Sequence, residues 1–312
     1  MNSAPTFKHI FGPVASRRFG LSLGVDLTPF KTCSFDCRYC QLGATTFRTL
    51  ERREWVEAGE VLDELNAWKR GGGEADFVSL AGSGEPTLHT RFGDVLRWAR
   101  DAGKCRSALL TNGTLLWLPE VRRDAAEAHV VKVTLSAWDQ ASFSMLHRPH
   151  PELRFDRVAD GIRAFRGEFA GELWLEVFAA RGYNASAGDM RRIAAIAATI
   201  RPDRIHLNTA VRPTAESGIL PISSAELEAM AGLFTPRAEV VASFKGAAHR
   251  AGAQATEADI LGMIRRHPSG AADVAQAFGI TLDAAERALA ALKGEGRIRG
   301  EMRGAGRVFS AK

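Results

Sequence analysis

The chain has 312 residues, of which 46% are hydrophobic and 25% charged, and its formal net charge is +5. That composition excludes a disordered chain, and the lack of any run of about 18 apolar residues excludes a membrane-spanning helix. The length suits one large α/β domain with a small appendage, and the mild basicity admits an anionic partner without requiring one.

The N-terminal stretch MNSAPTFKHIFGP has no apolar export segment, and cysteines are few, so a reducing, cytoplasmic setting is expected, with no membrane partner. Strand-like apolar runs then alternate with helical patterns. The runs are Leu21–Leu27, Asp76–Gly82, Ser107–Asn112, Val130–Ser136, Glu172–Ala179 and Arg204–Ala210, with a weaker seventh at Ala238–Ser243. The helical patterns are EVLDELNAWKR, FGDVLRWARDAG, PEVRRDAAEA, DRVADGIRAFRG and SAGDMRRIAAIAATI, one in each gap. Such alternation predicts a parallel sheet covered by helices. Six units predict an incomplete, TIM-like (β/α)6 barrel, with a doubly wound open sheet as the structural rival. Residues 1–245 form this domain and 246–255, rich in Ala, Gly and His, a linker. Residues 256–312 then carry three short helical patterns and a Gly-rich hairpin, the outline of a small winged-helix domain.

Chemistry concentrates in KTCSFDCRYCQLG, where Cys33, Cys37 and Cys40 follow a C-x3-C-x2-C spacing after the first strand. Iron–sulfur clusters are normally held by four thiolates. Three on one loop therefore leave one iron of a four-iron cluster open, which points to a reactive centre. A structural zinc site wants four ligands, and Cys105 is the only other cysteine. Barrel enzymes place functional residues at the C-terminal ends of strands, and those ends supply the other candidates. After the second strand comes Gly82-Ser83-Gly84-Glu85-Pro86-Thr87; its glycines are expected to admit a ligand close to the backbone, and Glu85 to accept from an ammonium group. Asn112 ends the third strand, Ser136 the fourth, and Arg148 lies beyond it; each has a plain structural reading as well, as turn, cap or salt bridge. Glu176 stands inside the apolar fifth strand and needs a basic partner. Asn208 closes the sixth.

The cysteine motif, with Tyr39 before its last cysteine, and the GSGEP turn together resemble the radical S-adenosylmethionine (radical SAM) superfamily over roughly residues 10–240. The resemblance implies a [4Fe–4S] cluster on Cys33, Cys37 and Cys40, with S-adenosylmethionine on the open iron. It implies reductive cleavage to a 5′-deoxyadenosyl radical that abstracts hydrogen from a substrate, fed by an electron donor of flavodoxin or ferredoxin type. Tyr39 would sit near the adenine, and Gly82, Ser83, Gly84 and Glu85 would meet the methionyl ammonium. Asn112, Ser136 and Arg148 would contact ribose or carboxylate, and Asn208 the adenine end. The stretch from Pro13 to Gly43, Arg148-Pro149 and Gly182-Tyr183-Asn184 are also similar to Fe–S oxidoreductases related to wyosine-base-forming enzymes. Those enzymes carry a second cluster on cysteines before the radical motif. This chain has none before Cys33, so their reaction on transfer RNA is not implied.

The substrate itself is not legible. The last twenty residues hold six Lys or Arg against two acids, so the tail is expected to contact nucleic acid or protein. The alternative from another class is an iron–sulfur redox sensor that binds nucleic acid through this tail.

Overall fold

The computed structural model describes residues 7–16, 18–103, 105–211, 214–241, 256–266, 268–303 and 306–311. The expected linker lies outside them.

The first strand was not expected. β1 (Ile10–Ser16) runs antiparallel to β2 (Gly20–Val25), Ile10 opposite Val25 and Ser16 opposite Gly20, with a register shift between Phe11 and Val14. Gly12-Pro13 reads as a turn in sequence. Here it sits at the irregularity of an edge strand, where proline is tolerated. Two short strands follow, β3 (Thr32–Cys33) and β4 (Phe47–Arg48), paired in parallel. Then α1 (Ala58–Arg70), β5 (Phe77–Leu80), α2 (Phe92–Ala102), β6 (Arg106–Thr111), α3 (Pro119–Ala125) and β7 (Val130–Thr134) alternate. Two helices, α4 (Gln140–His147) and α5 (Phe155–Glu168), precede β8 (Glu172–Phe178). The domain ends with α6 (Ala187–Ile200), β9 (Arg204–Asn208), α7 (Ser224–Ala231) and the two-residue β10 (Glu239–Val240). The sheet order is β1-β2-β5-β6-β7-β8-β9-β10, parallel from β2 onward. This is the expected partial barrel; α4 and α7 were not foreseen.

Strand residues alternate in facing. Leu109, Val131, Val133, Leu173, Leu175, Val177, Ile205 and Leu207 pack under the helices in the main core. The intervening residues face inward. At the N-terminal ends of the strands they form an aromatic floor, where Phe19 stacks on Trp174 with centroids 5.2 Å apart and touches Phe77 at 5.0 Å. Above it Glu176 pairs with Lys132 at 2.5 Å on the neighbouring strand, and with Arg18. Glu176 thus has the basic partners its burial demands, and they hold its carboxyl well below the usual carboxylate range.

Residues 256–311 build a second core. α8 (Glu257–Arg266), α9 (Ala271–Phe278), α10 (Leu282–Gly294) and the hairpin of β11 (Ile298–Arg303) and β12 (Gly306–Ala311) enclose Ile260, Ile264, Val274, Leu289, Ile298 and Phe309. α8 and α9 lie against β1 and so cover the edge of the barrel sheet. Among the described residues no helix is long and apolar enough to cross a membrane.

Candidate functional site

The cysteine loop is closed by the β3–β4 pair. Phe47 N donates to Lys31 O at 3.2 Å and Thr49 N to Cys33 O at 3.0 Å. Inside it, Cys40 N donates to Cys37 O at 3.0 Å, and Thr45 ties its amide to Asp36 Oδ1 at 2.7 Å and its hydroxyl to Phe35 O at 2.7 Å. The loop is therefore shaped by its own hydrogen bonds. Its three thiols are free of disulfides and open on one cavity of about 200 Å3.

Each thiol has a polar neighbour. Lys31, at φ +61°, places Nζ 3.0 Å from Cys40 Sγ. Asn112 Nδ2 lies 3.6 Å from Cys33 Sγ, and His147 Nδ1 3.3 Å from Cys37 Sγ. Burial, then the charges of Glu85 and Cys40, push the Cys33 thiol up to about 12, and burial pushes Cys37 up as well. Buried thiolates need positive charge, which a metal centre supplies. The three thiols share one cavity lining with Lys31 and Asn112, and a set of thiolate donors suits an iron–sulfur cluster.

The GSGE turn is tightly packed against its own chain. A Cβ on Gly84 would stand 1.9 Å from Thr32 O, and one on Gly82, at φ +139°, 2.7 Å from the Asp26 carboxyl carbon. The chain's own Thr32 and Asp26 approach these glycines closely. Asp26 receives Ser83 N at 3.1 Å and the Ser83 hydroxyl at 2.5 Å. Gly84 and Glu85 line the cysteine cavity, whereas Ser83 faces a second, larger one. Glu85 Oε1 accepts from Thr87 N at 3.1 Å, Thr87 Oγ1 at 2.6 Å and Thr111 Oγ1 at 2.6 Å, and Oε2 accepts from Asn112 N at 2.7 Å. Glu85 thus stitches the turn after β5 to the end of β6, and only Oε2 keeps acceptor capacity for a ligand.

Asn112 lines the cavity and is fixed by Ser34 Oγ at 2.8 Å and by Thr114, whose hydroxyl donates to Oδ1 at 2.7 Å. Tyr39 also lines it, stacked on Phe178 with centroids 4.0 Å apart and its hydroxyl 3.3 Å from His147 Nδ1. The other three candidates lie outside this lining. Ser136 Oγ accepts from Phe178 N at 2.9 Å. Asn208 Oδ1 accepts from Thr209 N at 2.9 Å, and its Nδ2 reaches Glu176 at 3.4 Å. Arg148, at φ +44°, caps α4 and pairs with Glu216 and, at 3.7 Å, with Asp36. Sequence reasoning missed Lys31, His147, Lys132 and Asp26. Only Lys31 carried a local signal, its place two residues before Cys33.

Residues 27–188 match the model of a family described as the Radical SAM superfamily. A protein of Brachyspira hyodysenteriae named GTPase Obg is 32% identical over 298 residues, 95% of this chain and 44% of that protein. UPF0026 proteins of Methanocaldococcus jannaschii and Synechocystis sp. are 33% and 32% identical; the matches cover 68% and 67% of this chain, and 66% and 77% of those proteins. The chain therefore spans under half of the first relative and about two thirds of the second. Among solved structures, a radical SAM methyltransferase from Sphaerobacter thermophilus superposes with a TM-score of 0.53 at 18% identity, over 72% of this chain and 67% of that one. Streptococcus suis SuiB gives 0.52 at 16% identity, over 72% and 49%. These likenesses show a shared fold.

Proposed function

Because the chain belongs to the radical SAM superfamily, we propose that Cys33, Cys37 and Cys40 hold its [4Fe–4S] cluster and that S-adenosylmethionine binds beside them. It is an enzyme of that family, whose cofactors these are. Once bound and reduced, they supply cleavage of the sulfonium to methionine and a 5′-deoxyadenosyl radical for hydrogen abstraction. The observation that carries the site assignment is the opening of three thiols on one cavity shared with Gly84, Glu85 and Asn112.

The chain's own residues position and shield. Lys31 offsets negative charge at Cys40, and Asn112 donates toward Cys33. Oε2 of Glu85 is the acceptor for the methionyl ammonium. Tyr39, braced by Phe178, presents an aromatic wall beside the cysteines. Ser136 and Asn208 act at one remove, through Phe178 and Glu176, while Arg148 fixes the cysteine loop through Asp36. The reductant the family requires is assigned to a flavodoxin or ferredoxin type, and residues 256–312 are read as a winged helix.

The test is anaerobic loading with iron and sulfide, then dithionite and S-adenosylmethionine. The wild-type chain is expected to turn brown and release 5′-deoxyadenosine and methionine, and Cys37→Ala to do neither. A loaded wild-type chain that yields neither product, or a Cys37→Ala chain that behaves like it, overturns the reading.

A further inference from the structure

A second cavity, of about 890 Å3, lies where residues 256–311 meet the barrel mouth. Asp26 and Ser83, at the C-terminal ends of β2 and β5, form part of its wall. Ser83 and Gly84 are consecutive, so one turn of chain separates this cleft from the cysteine cavity. Its volume suits a ligand of nucleotide size.

Its charge is one-sided. Lys8, Arg265, Arg266, Arg297 and Arg299 line it against two carboxylates, Asp26 and Asp259. Both carboxylates are engaged, Asp26 by Ser83 and by Arg266 at 3.4 Å, Asp259 by Thr256 N at 3.0 Å and Oγ1 at 2.6 Å. Arg266 is held further by Lys8 O at 3.0 Å and by the Phe11 ring, 4.4 Å from its guanidinium carbon. Lys8 pairs with Glu60 and Arg297 with Glu295. Among the described residues Arg265 and Arg299 have no acidic partner. They come from different elements, the last turn of α8 and β11, and Arg297, just before β11, lines the same cleft. Guanidinium groups gathered this way match adjacent phosphate oxygens. Phe30 also lines the cleft and leaves half its surface exposed, an aromatic side chain available for stacking.

We propose that this cleft binds a phosphate-bearing nucleotide, either free or as part of a nucleic-acid strand. Arg265, Arg297 and Arg299 take the phosphates and Phe30 stacks on the base. That this ligand is the substrate rests on the function proposed above; its binding does not.

The test is titration calorimetry on the full chain without iron, at low salt, with ADP, adenosine, tripolyphosphate and a single-stranded hexaribonucleotide. ADP or the hexamer is expected to bind saturably, and adenosine about tenfold more weakly or less. A chain carrying R265A and R299A, both exposed positions, should melt as wild type does and lose about tenfold in affinity for each phosphate-bearing probe. Phe30→Ala should weaken ADP and the hexamer but leave tripolyphosphate unchanged. Tighter binding of ADP than of the hexamer identifies a free nucleotide, and the reverse a strand. Absence of saturable binding, equal binding of adenosine and ADP, or indifference to the two arginines overturns the proposal. A chain that cleaves S-adenosylmethionine yet binds neither probe fails here alone, and one that binds but never cleaves fails only the radical reading.

Discussion

Gly84 shows how little room one position has. Its Cβ would stand 1.9 Å from Thr32 O, which is backbone and belongs to β3, the strand carrying Cys33. Gly84→Ala is expected to cost about 1–3 kcal/mol, to lower the melting temperature by several degrees, and to reduce iron loading. An alanine variant with wild-type melting and iron content would contradict the packing described. His206 makes a second residue-scale prediction. Burial, then the positive charge of Arg18 and Lys132, hold its imidazole neutral down to about 3. The unfolded chain takes up that proton near 6.5, the folded chain does not. Stability is thus fully present above 6.5 and falls as the solution is acidified toward 3, by up to about 1.4 kcal/mol per pH unit. Burial acts on His147 in the same direction. Between pH 6.5 and about 5, above most carboxylate titration, His206→Gln should flatten the pH dependence of the denaturation midpoint by one proton. An unchanged slope would refute it.

Among elements, α4 links stability to the site. Asp139 caps it by accepting Ser142 N at 2.7 Å, while Ser142 Oγ accepts from Asp139 N at 3.1 Å. Its last turn delivers His147 to Cys37 and its C-cap delivers Arg148 to Asp36. Asp139→Ala should cost about 1 kcal/mol and speed hydrogen exchange of the α4 amides, leaving α6 unaffected. Uniform exchange across both helices would show that the cap is not local. The sequence reading did well where elements are apolar and flanked by turns: β8 was expected at Glu172–Ala179 and runs Glu172–Phe178. It failed at β1, where Gly12-Pro13 imitates a loop, and at α4, a short helix whose main signal is its cap. The site divides in the same way. Cysteines within eight residues advertise themselves. Asp26 meets Ser83 across 57 residues and Cys37 meets His147 across 110, and no local pattern foretells either. At the glycine turn the sequence showed the glycines but not the neighbours that crowd them, since Thr32 and Asp26 lie more than fifty residues away in the chain.

At the scale of the molecule, Arg266 and Asp26 join the C-terminal unit to the barrel mouth with little water around either. Removing one member of such a pair typically costs about 3–5 kcal/mol. Arg266→Met should therefore loosen α8 from β1, raising hydrogen exchange in β1, and adding Asp26→Asn should cost less than the sum of the two single changes. Strict additivity would mean the pair is not coupled. The barrel beneath that mouth has its own consequence. The Phe19–Trp174 stack and the Arg18–Glu176–Lys132 layer close its lower end. A vessel stopped at one end imposes a queue. Whatever the proposed enzyme takes in or lets go would then share the one mouth, so a ligand lodged in the C-terminal cleft is expected to slow exchange of S-adenosylmethionine beneath it, a change that the dissociation rate of labelled cofactor would reveal.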